Sequence, residues 1–162
     1  MIFSARAEYG VRLMVALGAQ RGEDPISLKA IAEAEELPLS YLEHVVADLK
    51  RAGLVASTRG AHGGYRLARP PEDIAMDEVV LALEGAIAPM ECFVNVPTER
   101  VFCSHESDAG RACSTRLLWM RVQAGVVKAL QSTTLAELVD FGARHERDVG
   151  KAEPVTATAG VA

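Results

Sequence analysis

Apolar residues recur along the chain at helical spacing, interrupted once by a short alternating segment. Over residues 4–20, Tyr9, Leu13 and Leu17 fall four apart behind Ser4, which predicts a helix capped by that serine. Gly22-Glu23-Asp24-Pro25 predicts a turn. Ser27 opens a second helix over about 28–36, with Leu28, Ile31 and Ala32 as its buried face. Leu37-Pro38-Leu39 breaks it, because proline disfavours helix in the residue before it. Ser40-Tyr41-Leu42-Glu43 has the form of a capping box, in which serine caps the Glu43 amide and the glutamate reaches back. The helix it predicts runs to about Ala52, buries Leu42, Val45, Val46 and Leu49, and stops at Gly53. Leu54–Thr58 then reads as a strand, Arg59–Gly64 as a glycine-rich turn and Tyr65–Leu67 as a returning strand.

Two short helices, a tight turn between them and a hairpin directly after the second make a winged helix-turn-helix. Beyond Pro70-Pro71 a helix is predicted over about 76–84, with Val79, Val80 and Leu83 on one face and Gly85 as its stop. A stronger helix follows over about 115–131, opened by Ser114 or Thr115. Its residues Leu117, Met120, Ala124 and Val127 form a seam, and Leu118, Val122 and Val126 form a second apolar row. That surface suits a partner helix, so a homodimer is expected, with packing on the winged helix as the other way to cover it. Thr134-Leu135-Ala136-Glu137 is another capping box, opening a last helix to about Phe141.

The fold class is therefore mainly α with a small β-wing: a winged helix-turn-helix plus a long dimerisation helix. The expected divisions are 1–70 for the DNA-binding unit, 71–91 for a connecting helix, 92–113 for a loop, 114–141 for the dimerisation and last helices, and 142–162 for a flexible tail.

Charge changes the picture locally. The net charge of −5 argues against a polyanionic partner. Yet residues 49–69 hold Lys50, Arg51, Arg59, Arg66 and Arg69 and no acid, and only nearby charges act within a Debye length. No run of eighteen apolar residues exists, so no membrane span is expected, and the first twenty residues lack the form of a secretory signal. A cytoplasmic protein is the expectation. No nucleophile–base pair, phosphate loop or paired carboxylates stand in a recognisable setting, which argues against an enzyme.

The three cysteines, Cys92, Cys103 and Cys113, all lie in the polar 92–113 segment. In a reducing compartment an odd number of thiols points to metal or redox chemistry rather than a disulfide framework. Cys92, Cys103, His105 and Cys113 would make a Cys₃His zinc tetrahedron within one chain, and a bare thiol switch is the other reading open on the residues. A metal-binding protein without a DNA target accounts for the thiols but leaves Tyr41, His44 and the basic wing without a role.

Several stretches carry a family resemblance: Ala7-Glu8-Tyr9-Gly10-Val11-Arg12, Leu39-Ser40-Tyr41-Leu42-Glu43, Ala52-Gly53-Leu54-Val55, Arg59-Gly60-Ala61-His62-Gly63-Gly64-Tyr65 and Thr134-Leu135-Ala136-Glu137-Leu138-Val139. In this order, over about residues 1–141, the chain resembles the IscR/NsrR/RirA family of winged-helix regulators that bind an iron–sulfur cluster. The resemblance implies a homodimer on a double-stranded DNA operator, with a recognition helix in the major groove and the wing at the minor groove. It implies Ser40, Tyr41, Glu43 and His44 facing bases or phosphates, with Lys50, Arg51, Arg59 and His62 as further DNA contacts. It also implies a 2Fe–2S or 4Fe–4S cluster on Cys92, Cys103 and Cys113, sensing iron, nitric oxide or redox state. The cysteine spacing is wider than is common in the family, and Arg116 stands where some members have a ligating histidine. Glu8 occupies the first-helix position from which other members supply an acidic ligand across the dimer. His105 is an alternative fourth ligand, and Glu106 lies beside it.

Overall fold

The computed structural model describes residues 3–20, 22, 24–60, 62–87 and 115–149. Helix α1 spans Ala5–Gly18; Ser4 stands in extended backbone before it and its hydroxyl accepts from the Arg6 amide. Ala7, Gly10, Leu13, Met14 and Leu17 form the buried stripe of α1. Helix α2, Leu28–Ala34, is capped by the Ser27 hydroxyl accepting from the Ala30 amide at 3.1 Å. Helix α3, Leu39–Arg51, buries Leu42, Val45, Val46 and Leu49, the four positions predicted from periodicity.

The start of α3 differs from the expectation. Pro38 is its N-cap, and the Pro38 carbonyl accepts from the amides of Tyr41 and Leu42 at 3.1 Å each. The helix thus begins before Ser40, and no capping box forms between Ser40 and Glu43. Proline fits the cap because its missing N–H is not needed there and its own carbonyl already serves the first turn. Both side chains are left exposed at the solvent face.

Strands β1 (Val55–Thr58) and β2 (Gly64–Leu67) pair antiparallel, with Val55 opposite Leu67 and Thr58 opposite Gly64. The wing is tied back to the segment before α2: Ile26 and Tyr65 exchange amide–carbonyl bonds at 3.0 and 2.8 Å. Glycine is required at position 64, where a β-carbon would strike the Ile26 backbone. The wing is therefore held by the helix-turn-helix rather than hanging from it.

A 3-10 turn at Pro71–Asp73 leads to α4, Met76–Glu84, and after the 88–114 interval come α5, Arg116–Gln131, and α6, Leu135–Val149. Thr134 opens α6 with the expected capping box: Glu137 N–H donates to the Thr134 hydroxyl and Thr134 N–H to the Glu137 carboxylate, both at 3.3 Å. Helix α6 runs on to Val149 instead of ending near Phe141, so residues 142–149 are helical where a flexible tail was expected. Its start pairs with the segment that leads into α4. Met76 N–H donates to the Thr133 carbonyl and Leu135 N–H to the Ile74 carbonyl, each at 2.9 Å.

One core joins these pieces. Leu13, Met14, Ile31, Leu42, Leu49 and Leu54 share it with Ile74, Val79, Leu83 and Leu135. Burying each such side chain contributes roughly 1.5–3 kcal/mol. Residues 1–70 are thus completed by α4 and the start of α6 and do not close a core alone. Helix α5 stands apart: none of its residues is buried. It meets α4 along one side, where the Gln123 side-chain amide donates to the Ile87 carbonyl at 2.7 Å.

Candidate nucleic-acid interface and cofactor residues

The 3.6-residue period that buries Leu42, Val45, Val46 and Leu49 turns Ser40, Tyr41, Glu43 and His44 to solvent. Among the described residues, the side chains of Ser40, Glu43 and His44 have no hydrogen-bond or ion-pair partner. Unsatisfied polar groups on the first two turns of an exposed helix are the kind that reach base edges and phosphates. Tyr41 is different. Its ring meets Tyr9 of α1 edge-on, with centroids 5.3 Å apart and planes at 80°. Periodicity within α3 could not reveal this contact, because its partner lies on another helix.

At the other end of α3 the basic residues are partly engaged. The Lys50 ammonium donates to the Ser57 hydroxyl at 2.6 Å, linking α3 to β1. Arg51 pairs with Asp48 at 2.8 Å, and the second oxygen of Asp48 is held by Arg6 of α1. Two guanidinium groups thus share one carboxylate, so this trio keeps one net positive charge, and Lys50, bonded to a neutral hydroxyl, adds another at this end of the helix. Arg6 carried no signal in the sequence, since its partner lies far along the chain. Arg59 and His62 are exposed at the wing tip with no partner among the described residues, and Arg66 is exposed on β2. Free donors on an acid-poor surface suit a phosphate backbone. The structure thus puts the exposed turns of α3, its basic end and the wing on one continuous run of chain, tied by Lys50 to Ser57 and by Ile26 to Tyr65.

Of the cofactor candidates, Glu8 is described. It is exposed in the first turn of α1. Four residues before it, the Ser4 hydroxyl donates to the Glu84 carboxylate, which brings the N-terminal turn of α1 beside the end of α4. The chain enters the cysteine segment just beyond that point. Cys92, Cys103, Cys113, His105 and Glu106 lie outside the described residues, and among the described ones no three metal-ligating side chains cluster. Arg116 is exposed at the start of α5 and, having donors only, cannot ligate.

Comparison with known proteins then decides the family. The chain matches Rrf2, the iron-dependent transcriptional regulator family, over residues 3–141. The chain belongs to the Rrf2 family. Among its Rrf2 relatives, the regulator CymR of Bacillus subtilis is 38% identical over 141 residues, covering 87% of this chain and 91% of that protein. The regulator IscR of Vibrio atlanticus is 32% identical over 139 residues, covering 86% and 75%. The solved structure of CymR from B. subtilis, described as its global cysteine regulator, superposes with a TM-score of 0.70 at 37% identity, covering 87% of this chain and 98% of that one. An IscR structure from T. potens gives 0.68 at 33% identity, covering 95% and 94%. As an Rrf2 protein the chain is a DNA-binding transcriptional regulator and not an enzyme. The winged-helix fold and the likeness to IscR read from the sequence both hold. Among the described residues, no helix is long and apolar enough to cross a membrane.

Proposed function

We propose that this Rrf2 regulator is a cytoplasmic homodimer whose operator affinity is set by an iron–sulfur cluster bound to the 92–113 segment. Ser40, Tyr41, Glu43 and His44 contact the major groove, Arg59 and His62 the minor groove and its flanking phosphates, and Lys50 and Arg51 the phosphate backbone. The observation that carries the regulatory part is the position of the thiols. All three fall between the DNA-reading unit, which ends with α4, and α5, which buries none of its residues. A change in that segment therefore acts on the dimer helix α5 and on the spacing of the two recognition helices together.

The donor set fits such a group. Cys92, Cys103 and Cys113 supply soft thiolates, and the exposed Glu8 supplies a hard carboxylate, from the partner subunit, as a weaker fourth ligand. Bound there, the cluster supplies redox and ligand-loss chemistry, matched to iron supply, nitric oxide or oxidation as inputs. The visible absorption spectrum of anaerobically purified protein, with iron and acid-labile sulfide quantified, tests the reading. It predicts a coloured protein with iron and sulfide in cluster stoichiometry, of two-iron or four-iron type; colourless protein with stoichiometric zinc overturns it.

A thiol-based regulator of the same fold is the second reading, favoured by the likeness to B. subtilis CymR and to a Staphylococcus aureus CymR solved in an oxidized form. It predicts metal-free protein whose operator affinity falls on oxidation and returns with reductant.

A further inference from the structure

Helix α1 grips the recognition helix at two separated points. Near the start of α3, the Tyr9 ring meets Tyr41 edge-on at 5.3 Å. Two turns later, Arg6 holds Asp48, whose side chain is 11% exposed. Beside them Gly10 of α1 packs closely, where a β-carbon would overlap Leu83 of α4 and stand 3.4 Å from Val45 of α3. Contacts at positions 41, 45 and 48 fix both the tilt of α3 and its rotation about its own axis.

The two anchors differ in what they can do. The Arg6–Asp48 pair acts on the body of α3. The Tyr9 ring instead touches a residue that is itself 36% exposed and stands in the turn that enters the groove. An edge-to-face pair has a preferred direction, so Tyr9 restricts the rotamers of Tyr41. A side chain already held in its bound orientation loses less freedom on binding.

We propose that Tyr9 is a positioning residue for DNA reading, acting through Tyr41 and making no DNA contact itself. This rests on the reading of Tyr41 as a DNA contact. The ring of Tyr9, and not its hydroxyl, carries the effect.

The test is a double-mutant cycle on the full-length protein at matched cofactor content. The probes are a duplex operator obtained by selection from a random pool and a scrambled duplex of equal length. Tyr41→Leu is expected to weaken operator binding about tenfold and Tyr9→Leu about 3- to 10-fold, the range set by one aromatic pair. The double variant binds like Tyr41→Leu alone, Tyr9→Phe stays within about twofold of the parent, and scrambled-duplex affinity does not change. Tyr9→Met, with a longer and more adaptable side chain than leucine and no ring edge, replaces Tyr9→Leu if that variant does not fold. Operator losses that multiply in the double variant, parent-like binding by Tyr9→Leu, or an equal fall on the scrambled duplex overturns the proposal. Parent-like binding by Tyr41→Leu refutes the DNA role of Tyr41 first, and the proposal with it.

Discussion

Helices α3 and α5 are of similar length and both amphipathic, yet they live in opposite surroundings. Four α3 residues are buried, and Leu42, Val45 and Leu49 are wholly enclosed. In α5 no residue is buried, and Leu117, Leu118 and Met120 are at least half exposed. Helix α3 is finished by its own chain, so its polar face is free to read DNA. Helix α5 keeps an apolar surface that no other described residue buries, and this suits the proposed second copy. The proposed cofactor segment joins these two kinds of surface.

The strongest way to sharpen this contrast is to truncate one leucine in each helix. Leu42→Ala is expected to destabilise the fold by about 2–5 kcal/mol, measured by denaturant unfolding. Leu117→Ala should leave the unfolding of the monomer within about 0.5 kcal/mol of the parent. Equal losses at both sites would mean that α5 is part of the chain's own core.

A charge at the seam tests the partner directly. Met120→Glu is expected to shift the protein from dimer to monomer in sedimentation while the helix content by circular dichroism stays at the parent value. An unchanged sedimentation coefficient would move the dimer contact elsewhere. A smaller effect is expected at the wing tip. Arg59→Ala should weaken operator binding about tenfold and lower the salt slope of log K by about one, as one lost phosphate contact requires. Affinity and slope both unaltered would remove Arg59 from the interface.

The smallest predictions separate two capping motifs that look alike in sequence. Thr134→Ala removes a cap that forms and should cost about 1 kcal/mol in thermal or denaturant unfolding. Ser40→Ala removes one that does not, and should change stability by less than about 0.5 kcal/mol. A loss at Ser40 as large as that at Thr134 would contradict the Pro38 start of α3.

That pair also shows where the sequence was legible. Local signals sufficed where one element could satisfy them: the Ser4 and Ser27 caps, the stripe of α3 and the turn of the wing. The Ser40–Glu43 motif misled because the Pro38 carbonyl, two residues earlier, already opens the helix by accepting from the Tyr41 and Leu42 amides, which leaves Ser40 inside the first turn. Helix α6 outran its expected end because Gly142, though a poor helix former, is followed by Ala143 and Arg144, both good ones. Contacts between distant segments left no periodic trace. Tyr9 on Tyr41, Arg6 on Asp48 and Leu135 in the winged-helix core depend on how α1, α3 and α6 cross. The candidate DNA surface was readable residue by residue, but the means of holding it in place was not.

The central claim is that the state of the 92–113 segment governs what α3 and the wing can bind. The most direct measurement is a fluorescence-anisotropy titration of the selected operator with one anaerobic preparation, before and after iron removal by a chelator. The account predicts a shift in midpoint of at least about tenfold, abolished when Cys92, Cys103 and Cys113 are replaced by alanine. Superimposable curves from iron-loaded and iron-depleted protein would contradict it.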